Sequence, residues 1–133
     1  MNEKKLDFNE LTGIAALLIH AAKIDDNYTN KEKNLISDFL KSFIENEEKI
    51  QKIFKNAEDL EKNSNQLITF TNLIKKNSLE TKTLIVKQLW KIIISDNSSD
   101  DYEANLMRRI CGLIYFPDKL SGEVKMQIQK EKS

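Results

Sequence analysis

The sequence predicts an all-α fold of about seven helices, and three observations lead to this prediction. Glycine and proline are scarce, with 3 and 1 among 133 residues, whereas a sheet protein needs many turns. Apolar residues recur with helical spacing along most of the chain, and no segment of adequate length alternates with a period of two. The length suits one domain, so we expect residues 1–133 to form a single helical domain.

The first half of the chain is expected to form four helices. The first begins after Asn9, a good N-cap, ends near residue 24 and is apolar on nearly all sides, which indicates burial. The second follows a loop at residues 25–28 and carries a one-sided apolar stripe that includes Leu35, Phe39 and Phe43. The third and fourth are expected at about residues 47–60 and 64–76 from their apolar spacing.

The second half is expected to form three more helices. One is opened by Ser78 as a cap, ends near residue 94 and resembles the first helix in being apolar nearly all round. The next, at about residues 101–115, is one-sided and is stopped by Pro117. A last amphipathic helix follows. The first and fifth helices, which are apolar on nearly all sides, should be the most buried elements, with Leu18, Leu89 and Ile93 inaccessible to solvent.

An internal repeat relates the two halves. Residues 14–44 fall on residues 85–115 when shifted by 96 − 25 = 71 positions. The shift pairs apolar positions and also three polar ones, Asp25 with Asp96, Glu32 with Glu103 and Asn34 with Asn105. We interpret this as a duplicated helix–loop–helix with pseudo-twofold symmetry, the repeats being at about residues 10–60 and 78–131.

Charge and cysteine content exclude several classes of function. Lys and Arg total 21, as do Asp and Glu, and a chain without a basic surplus is not expected to bind nucleic acid. Cys111 is the only cysteine, so neither an intrachain disulfide nor a cysteine-based zinc site is expected. The longest uncharged stretch, residues 11–22, is too short for a transmembrane segment, and we expect a cytoplasmic protein.

Each repeat contains an Asp-x6-Glu motif across its loop. Thr29 with Glu32 and Asp100 with Glu103 have capping-box spacing, so capping alone explains both glutamates. Asp25 and Asp96 are harder to explain, because they follow helix C-termini, where the helix dipole disfavours a carboxylate.

Three explanations for the aspartates stay open. One is a bound divalent cation such as Ca²⁺ or Mg²⁺, which prefers oxygen ligands, with Asp25, Glu32, Asp96 and Glu103 as the candidate ligands. Another is a guanidinium counter-charge from Arg108 or Arg109, and the third is an Asx-turn. No other cofactor is indicated. The loops are not EF-hands, because Asp101 and Met107 occupy the sixth and twelfth positions of the second loop.

No motif indicates an enzyme. The chain has no glycine-rich phosphate loop and no nucleophile elbow, and His20 has no second histidine with which to form a metal or catalytic site. Cys111 and Trp90 lie on apolar helix stripes and are expected in the core.

The repeated motif resembles that of the TerB-like tellurite-resistance family, whose oily helix ends in Ala-x-x-Asp-Gly before a second helix opened by paired acids. The matching segments are Ala22-Lys23-Ile24-Asp25-Asp26 with Glu32, Ser95-Asp96-Asn97 with Glu103, and Leu106-Met107-Arg108-Arg109-Ile110 with Leu113-Ile114. Asp26 and Asn97 replace the glycine, and Tyr102 replaces one of the paired acids, so this chain offers fewer acidic ligands than the family pattern.

The resemblance implies an all-helical, pseudo-symmetric domain linked to tellurite and other stress, and the same domain type occurs in a DnaJ-like co-chaperone family. It also implies metal binding and a protein partner, including a membrane-associated complex; Arg108 and Arg109 are candidate partner contacts. The expected function is therefore a non-enzymatic TerB-like module that binds a divalent cation and a partner. The alternative is a structural or adaptor domain without metal, in which the acidic loops serve only as helix caps.

Overall fold

A computed structural model describes residues 7–24, 29–64, 66–94 and 101–132, which form seven helices and no strand. The all-α prediction is confirmed. In chain order the helices are α1 (Phe8–Ile24), α2 (Asn30–Lys41), α3 (Glu47–Lys62), α4 (Leu67–Thr71), α5 (Leu79–Ile94), α6 (Asp101–Leu113) and α7 (Asp118–Lys132).

Helix α1 is the centre of the fold. Every residue from 11 to 19 is buried, and the helix packs most extensively against α3 and also against α2, α4 and α5. A helix that is apolar on all sides is stable in water only when neighbours cover it on all sides. The predicted burial of α1 and α5 is confirmed at the three named residues, since Leu18 and Leu89 are 0% exposed and Ile93 is 4% exposed.

The N-cap of α1 is Asp7 rather than the predicted Asn9. The Glu10 backbone N–H donates to Asp7 Oδ1 at 2.7 Å, and the Asp7 N–H donates to Glu10 Oε1 at 3.3 Å. This reciprocal pair is a capping box formed with Asp in place of Ser or Thr. The start of the helix therefore precedes the predicted one by two residues.

The predicted fourth helix at 64–76 is wrong in extent, because α4 has only five residues. Before it, the Ser64 hydroxyl donates to Thr69 Oγ1 at 3.0 Å and accepts from the Gln66 N–H at 3.4 Å, which holds the chain in a turn. After it, the backbone makes turns closed by bonds such as Asn77 N–H to Ile74 C=O at 2.9 Å. Local hydroxyl bonds thus compete with the helical ladder in this segment.

Gly13 lets this turn segment approach α1 closely. A Cβ atom at position 13 would lie 2.9 Å from Leu73 Cβ and 2.7 Å from Leu73 Cδ1, inside van der Waals contact. Only a residue without a side chain allows this spacing between the middle of α1 and the chain after α4.

In the second half of the chain, α7 packs against α5 and α6. Trp90 of α5 is 4% exposed, and its indole N–H donates to Ser121 Oγ of α7 at 3.2 Å. Ser78 caps α5 as predicted, since its hydroxyl accepts from the Thr81 N–H at 3.2 Å.

The predicted twofold relation between residues 14–44 and 85–115 is not confirmed. The packing of α1 against α3 has a counterpart in the packing of α5 against α7. However, α1 also packs against α2, whereas α5 and α6, the corresponding pair, make at most a marginal contact within the described residues. Similar apolar spacing in two helical segments does not by itself fix the angle at which the helices cross.

Candidate functional site

Glu32 is the one predicted metal ligand whose side chain the structure describes. It lies in the first turn of α2, where its Oε1 accepts from the Thr29 backbone N–H at 3.2 Å and from the Thr29 hydroxyl. The residue is 3% exposed, so a carboxylate is held almost out of solvent at a helix N-terminus, where the helix dipole stabilises it. The predicted capping-box spacing of Thr29 and Glu32 is thereby confirmed.

The remaining predicted ligands fall outside the described atoms. Asp25 and Asp96 lie outside the described residues, and Glu103 lies in α6 with its side chain outside the described part. The predicted box of Asp100 with Glu103 is not described for the same reason. The predicted binding of a cation by Asp25, Glu32, Asp96 and Glu103 therefore stays a prediction.

Within the described residues, no group of three or more His, Cys, Asp and Glu side chains could hold a metal ion. Arg108 and Arg109, predicted as counter-charges or partner contacts, are exposed on α6. Neither makes an ion pair with a described residue. They are placed where a partner could reach them, and their predicted roles stay predictions.

A charged cluster between α1 and α3 was not predicted. The His20 ring Nδ1 lies 3.1 Å from Glu61 Oε2, Lys23 Nζ lies 2.8 Å from Glu61 Oε1, and the Glu61 side chain is 10% exposed. The His20 ring also packs against the Phe70 ring at a centroid distance of 5.7 Å. Sequence spacing places His20 and Glu61 on separate helices 41 positions apart, and it carries no signal that they meet.

Lys23 and His20 determine the protonation state of the Glu61 carboxyl group. Burial alone raises the pKa of its carboxyl group, but the hydrogen bonds and charges of Lys23 and His20 outweigh it and lower the pKa below its usual value. An ionised carboxylate shared by two donors ties α1 to α3. The arrangement is that of a structural ion pair, because both oxygens are already bonded to side chains of the same chain.

Cys111 lies in the core as predicted, with 0% exposure. Burial raises the pKa of its thiol, and the charge of Asp118 raises it further, while a hydrogen bond with Ser121 acts in the opposite direction. The reactive thiolate form is thus disfavoured at neutral pH.

An open groove of about 820 Å³ lies where the start of α1 meets the α2–α3 turn. Its apolar side chains are Phe8, Phe43 and Ile44, and Phe8 is 40% exposed. Lys49 and Lys52 line it from α3, and neither forms an ion pair with a described residue. Glu45 and Asn46 complete the lining.

Comparison with protein-family models shows which family the chain is similar to. Residues 11–125 match the family model described as Tellurite resistance protein TerB, which covers both Asp-x6-Glu motifs. No curated protein and no solved structure matches the chain. None of the described helices is long and apolar enough to cross a membrane.

Proposed function

The chain belongs to the TerB tellurite-resistance family, and we therefore propose that it is a non-enzymatic stress-response module of the cytoplasm. It binds a divalent cation through the acidic inter-helix loops and binds a protein partner through its surface. The observation that carries the proposal is the family match, because it spans both loops. The buried Cys111 thiol and the Glu61 carboxylate, which is bonded to His20 and Lys23 through its two oxygens, support a role other than catalysis.

The cation half of the proposal rests on oxygen chemistry at the loops. Asp25, Glu32, Asp96 and Glu103 offer only carboxylate oxygens, which suit Ca²⁺ and Mg²⁺ better than zinc. Glu32 already bonds to Thr29, but a carboxylate has two oxygens and about four acceptor positions, so capping and cation binding are compatible. Glu32 would then order the ligand set by being held rigid and buried.

The test of the cation half is a titration of metal-free protein with Ca²⁺, Mg²⁺ and Mn²⁺ while the melting temperature is followed. An ion that binds only the folded state must raise the melting temperature. The double variant Asp25→Asn with Asp96→Asn should lose the rise. Asp38→Asn, at an exposed position of α2, is the matched control and should retain it. Unchanged melting at millimolar ion contradicts cation binding.

The Thr29–Glu32 box favours the alternative of a structural or adaptor domain without metal. In that case Glu32→Gln weakens the cap and lowers the melting temperature equally with and without divalent ion. If the glutamate is also a ligand, the loss is larger in the presence of the ion. The fall in melting temperature with the ion, compared with the fall without it, therefore distinguishes a cation ligand from a helix cap.

The partner half of the proposal is supported by the groove beside α3. Aromatic side chains are enriched at protein interfaces, and two lysines without described ion pairs complement an acidic segment with apolar side chains. A partner retained from extracts of native cells, membrane fraction included, should be identified and then lost with Lys49→Glu plus Lys52→Glu. Met126→Ala, at an exposed position of α7, should retain it. Equal retention by all three proteins places the partner elsewhere.

A further inference from the structure

The groove beside α3 lies where two helices that run in the same direction begin. Phe8 of α1 lines it together with Lys49 and Lys52 of α3, and near the other ends of the same two helices His20 is in contact with Glu61. The first turns of α1 and α3 therefore lie at the same end of the fold. The turn after α2 completes the lining between them.

The apolar side of the groove is held in place by contacts within the chain. The Phe43 ring packs edge-to-face against the Phe39 ring at a centroid distance of 5.1 Å, and Phe39 is 8% exposed. The backbone N–H groups of Phe43 and Ile44 both donate to the Leu40 carbonyl at 3.0 Å, which orders the turn after α2. The side chain of Asn46 then caps α3. A groove formed in advance reduces the ordering that a partner must bring about when it binds.

The charged side chains of the lining are divided along the groove. Glu45 lies in the turn before α3, whereas Lys49 and Lys52 lie on α3 itself. Lys52 is about 9 Å further along the helix axis than the N-cap residue Asn46. Residues three positions apart are neighbours on a helix, so the two lysines form one positive patch. The two glutamates in the first turn of α3 do not line the groove.

A helix is the conformation of a peptide partner that suits this surface. The described residues contain no strand, so they offer an extended peptide no sheet edge to bond to. A helix bonds its own backbone groups and can lay apolar side chains, three and four positions apart, against Phe8, Phe43 and Ile44. Acidic residues are favoured in the first turn of a helix and basic residues in the last. Such a helix matches the divided charges of the groove when it runs antiparallel to α3.

We propose that the partner of this groove is an amphipathic helix with an acidic first turn and a basic last turn. It lies antiparallel to α3, so that its first-turn carboxylates pair with Lys49 and Lys52 and its last-turn cation pairs with Glu45. Its apolar stripe covers Phe8, Phe43 and Ile44. The assignment rests on the partner half of the proposed function and adds the conformation, the charge pattern and the direction of the partner.

The probe is a designed peptide of about 15 residues, a length at which a helix is marginally stable in water. It has leucines at helical spacing, glutamates in the first turn and lysines in the last. Calorimetry with the full chain should show binding about tenfold tighter than that of a peptide with the two charged turns exchanged. A peptide with a central proline, which breaks the helix, should bind more weakly still.

Charge reversal on the protein should reverse the preference between the two peptides. Lys49→Glu with Lys52→Glu should bind the exchanged peptide more tightly than the original one. Lys55→Glu with Lys62→Glu is the matched control, because it makes the same change of charge at exposed positions of α3 outside the groove, and it should keep the wild-type preference. Equal affinity of the wild-type protein for both charge patterns, or undiminished binding of the proline peptide, would overturn the proposal.

A spin label at either end of the peptide tests the direction. A label at the first turn should broaden the amide NMR signal of Lys52 more than that of Glu45, and a label at the last turn should do the opposite. The reverse order would overturn the antiparallel placement, and groove signals that shift on dilution of the free chain would show that a second copy covers the groove. If Lys49→Glu with Lys52→Glu loses the partner retained from extracts while the peptide fails to bind wild type, this inference falls and the partner half of the proposed function stands.

Discussion

At the scale of single residues, Glu61 shows how one side chain joins two helices that sequence patterns treat separately. Its two oxygens are bonded to His20 and Lys23 of α1, while its backbone belongs to α3, the most extensive packing partner of α1. Charge-assisted bonds of this kind fix the rotation of one helix about another, which apolar contacts alone fix less strictly. The cluster therefore fixes how α1 and α3 are rotated relative to each other.

The lowered pKa of Glu61 makes this contribution depend on pH. A carboxyl group with a folded pKa below its unfolded value stabilises the fold above the unfolded pKa, here about 4.5, and loses this effect as pH falls through the folded pKa. Glu61→Gln should therefore lower the free energy of unfolding by about 1–3 kcal/mol at pH 7 and by progressively less below pH 4.5. Urea unfolding of both proteins at pH 7 and at pH 3.5 measures the two differences.

Asp59→Asn is the matched control for that measurement, because Asp59 is exposed on the same helix. It should change stability little at either pH. An equal loss for Glu61→Gln at both values of pH would contradict an ionised, cation-bound carboxylate.

The sequence predicts the burial of a residue when its own helix shows the pattern. It does not predict side-chain pairs that depend on how two helices pack. Burial of Leu18, Leu89 and Cys111 follows from their own helix stripes. The pairing of His20 with Glu61 depends on how α1 and α3 cross, and the buried Lys82 looks in sequence like any surface lysine of an amphipathic helix. Helical spacing predicts the face of a residue and not its partner.

At the scale of elements, helix starts carried the most reliable signals. Thr29 and Ser78 cap α2 and α5 as predicted, because a cap is decided by residues within one turn. The true start of α1 had a readable signal too, since Asp7 and Glu10 have capping-box spacing. The short α4 was not predictable from apolar spacing, because the hydroxyl of Ser64 and the close approach at Gly13 determine the course of the chain there.

Gly13 and Gly122 give opposite predictions for the same substitution. Alanine is favoured over glycine in a helix by about 1 kcal/mol, so Gly122→Ala in α7, where nothing lies within 4 Å, should stabilise by up to that amount. Gly13→Ala should destabilise by about 1–3 kcal/mol despite this gain, because the new methyl group overlaps Leu73. Urea denaturation of both variants measures the two changes. A stabilised Gly13→Ala protein would show that the segment after α4 moves away at little cost.

At the scale of the whole molecule, the two halves share one apolar core, and the packing of the described helices does not confirm the predicted twofold relation. The buried apolar side chains form one cluster that extends from Leu11 of α1 to Ile128 of α7. Contacts between the halves include a hydrogen bond from the Gln88 amide of α5 to the Leu35 carbonyl of α2 at 3.1 Å. The repeated polar residues thus show that the Asp-x6-Glu motif occurs twice in the sequence. In the described residues α1 packs against α2, whereas α5 does not pack against α6 to a similar extent.

A shared core predicts that the chain unfolds in one cooperative step. Trp90, the only tryptophan, reports on the α5–α7 half, while circular dichroism reports on all helices. Urea transitions by the two probes should coincide, as expected for a single domain of this size. Leu18→Ala opens a cavity beside α1 and should lower the free energy of unfolding by about 2–5 kcal/mol. The urea midpoints from the two probes should fall together, although Trp90 lies in the other half. Leu84→Ala, at an exposed position of α5, should leave both nearly unchanged. Separate transitions, or a Trp90 midpoint indifferent to Leu18→Ala, would mean that the two repeats fold independently.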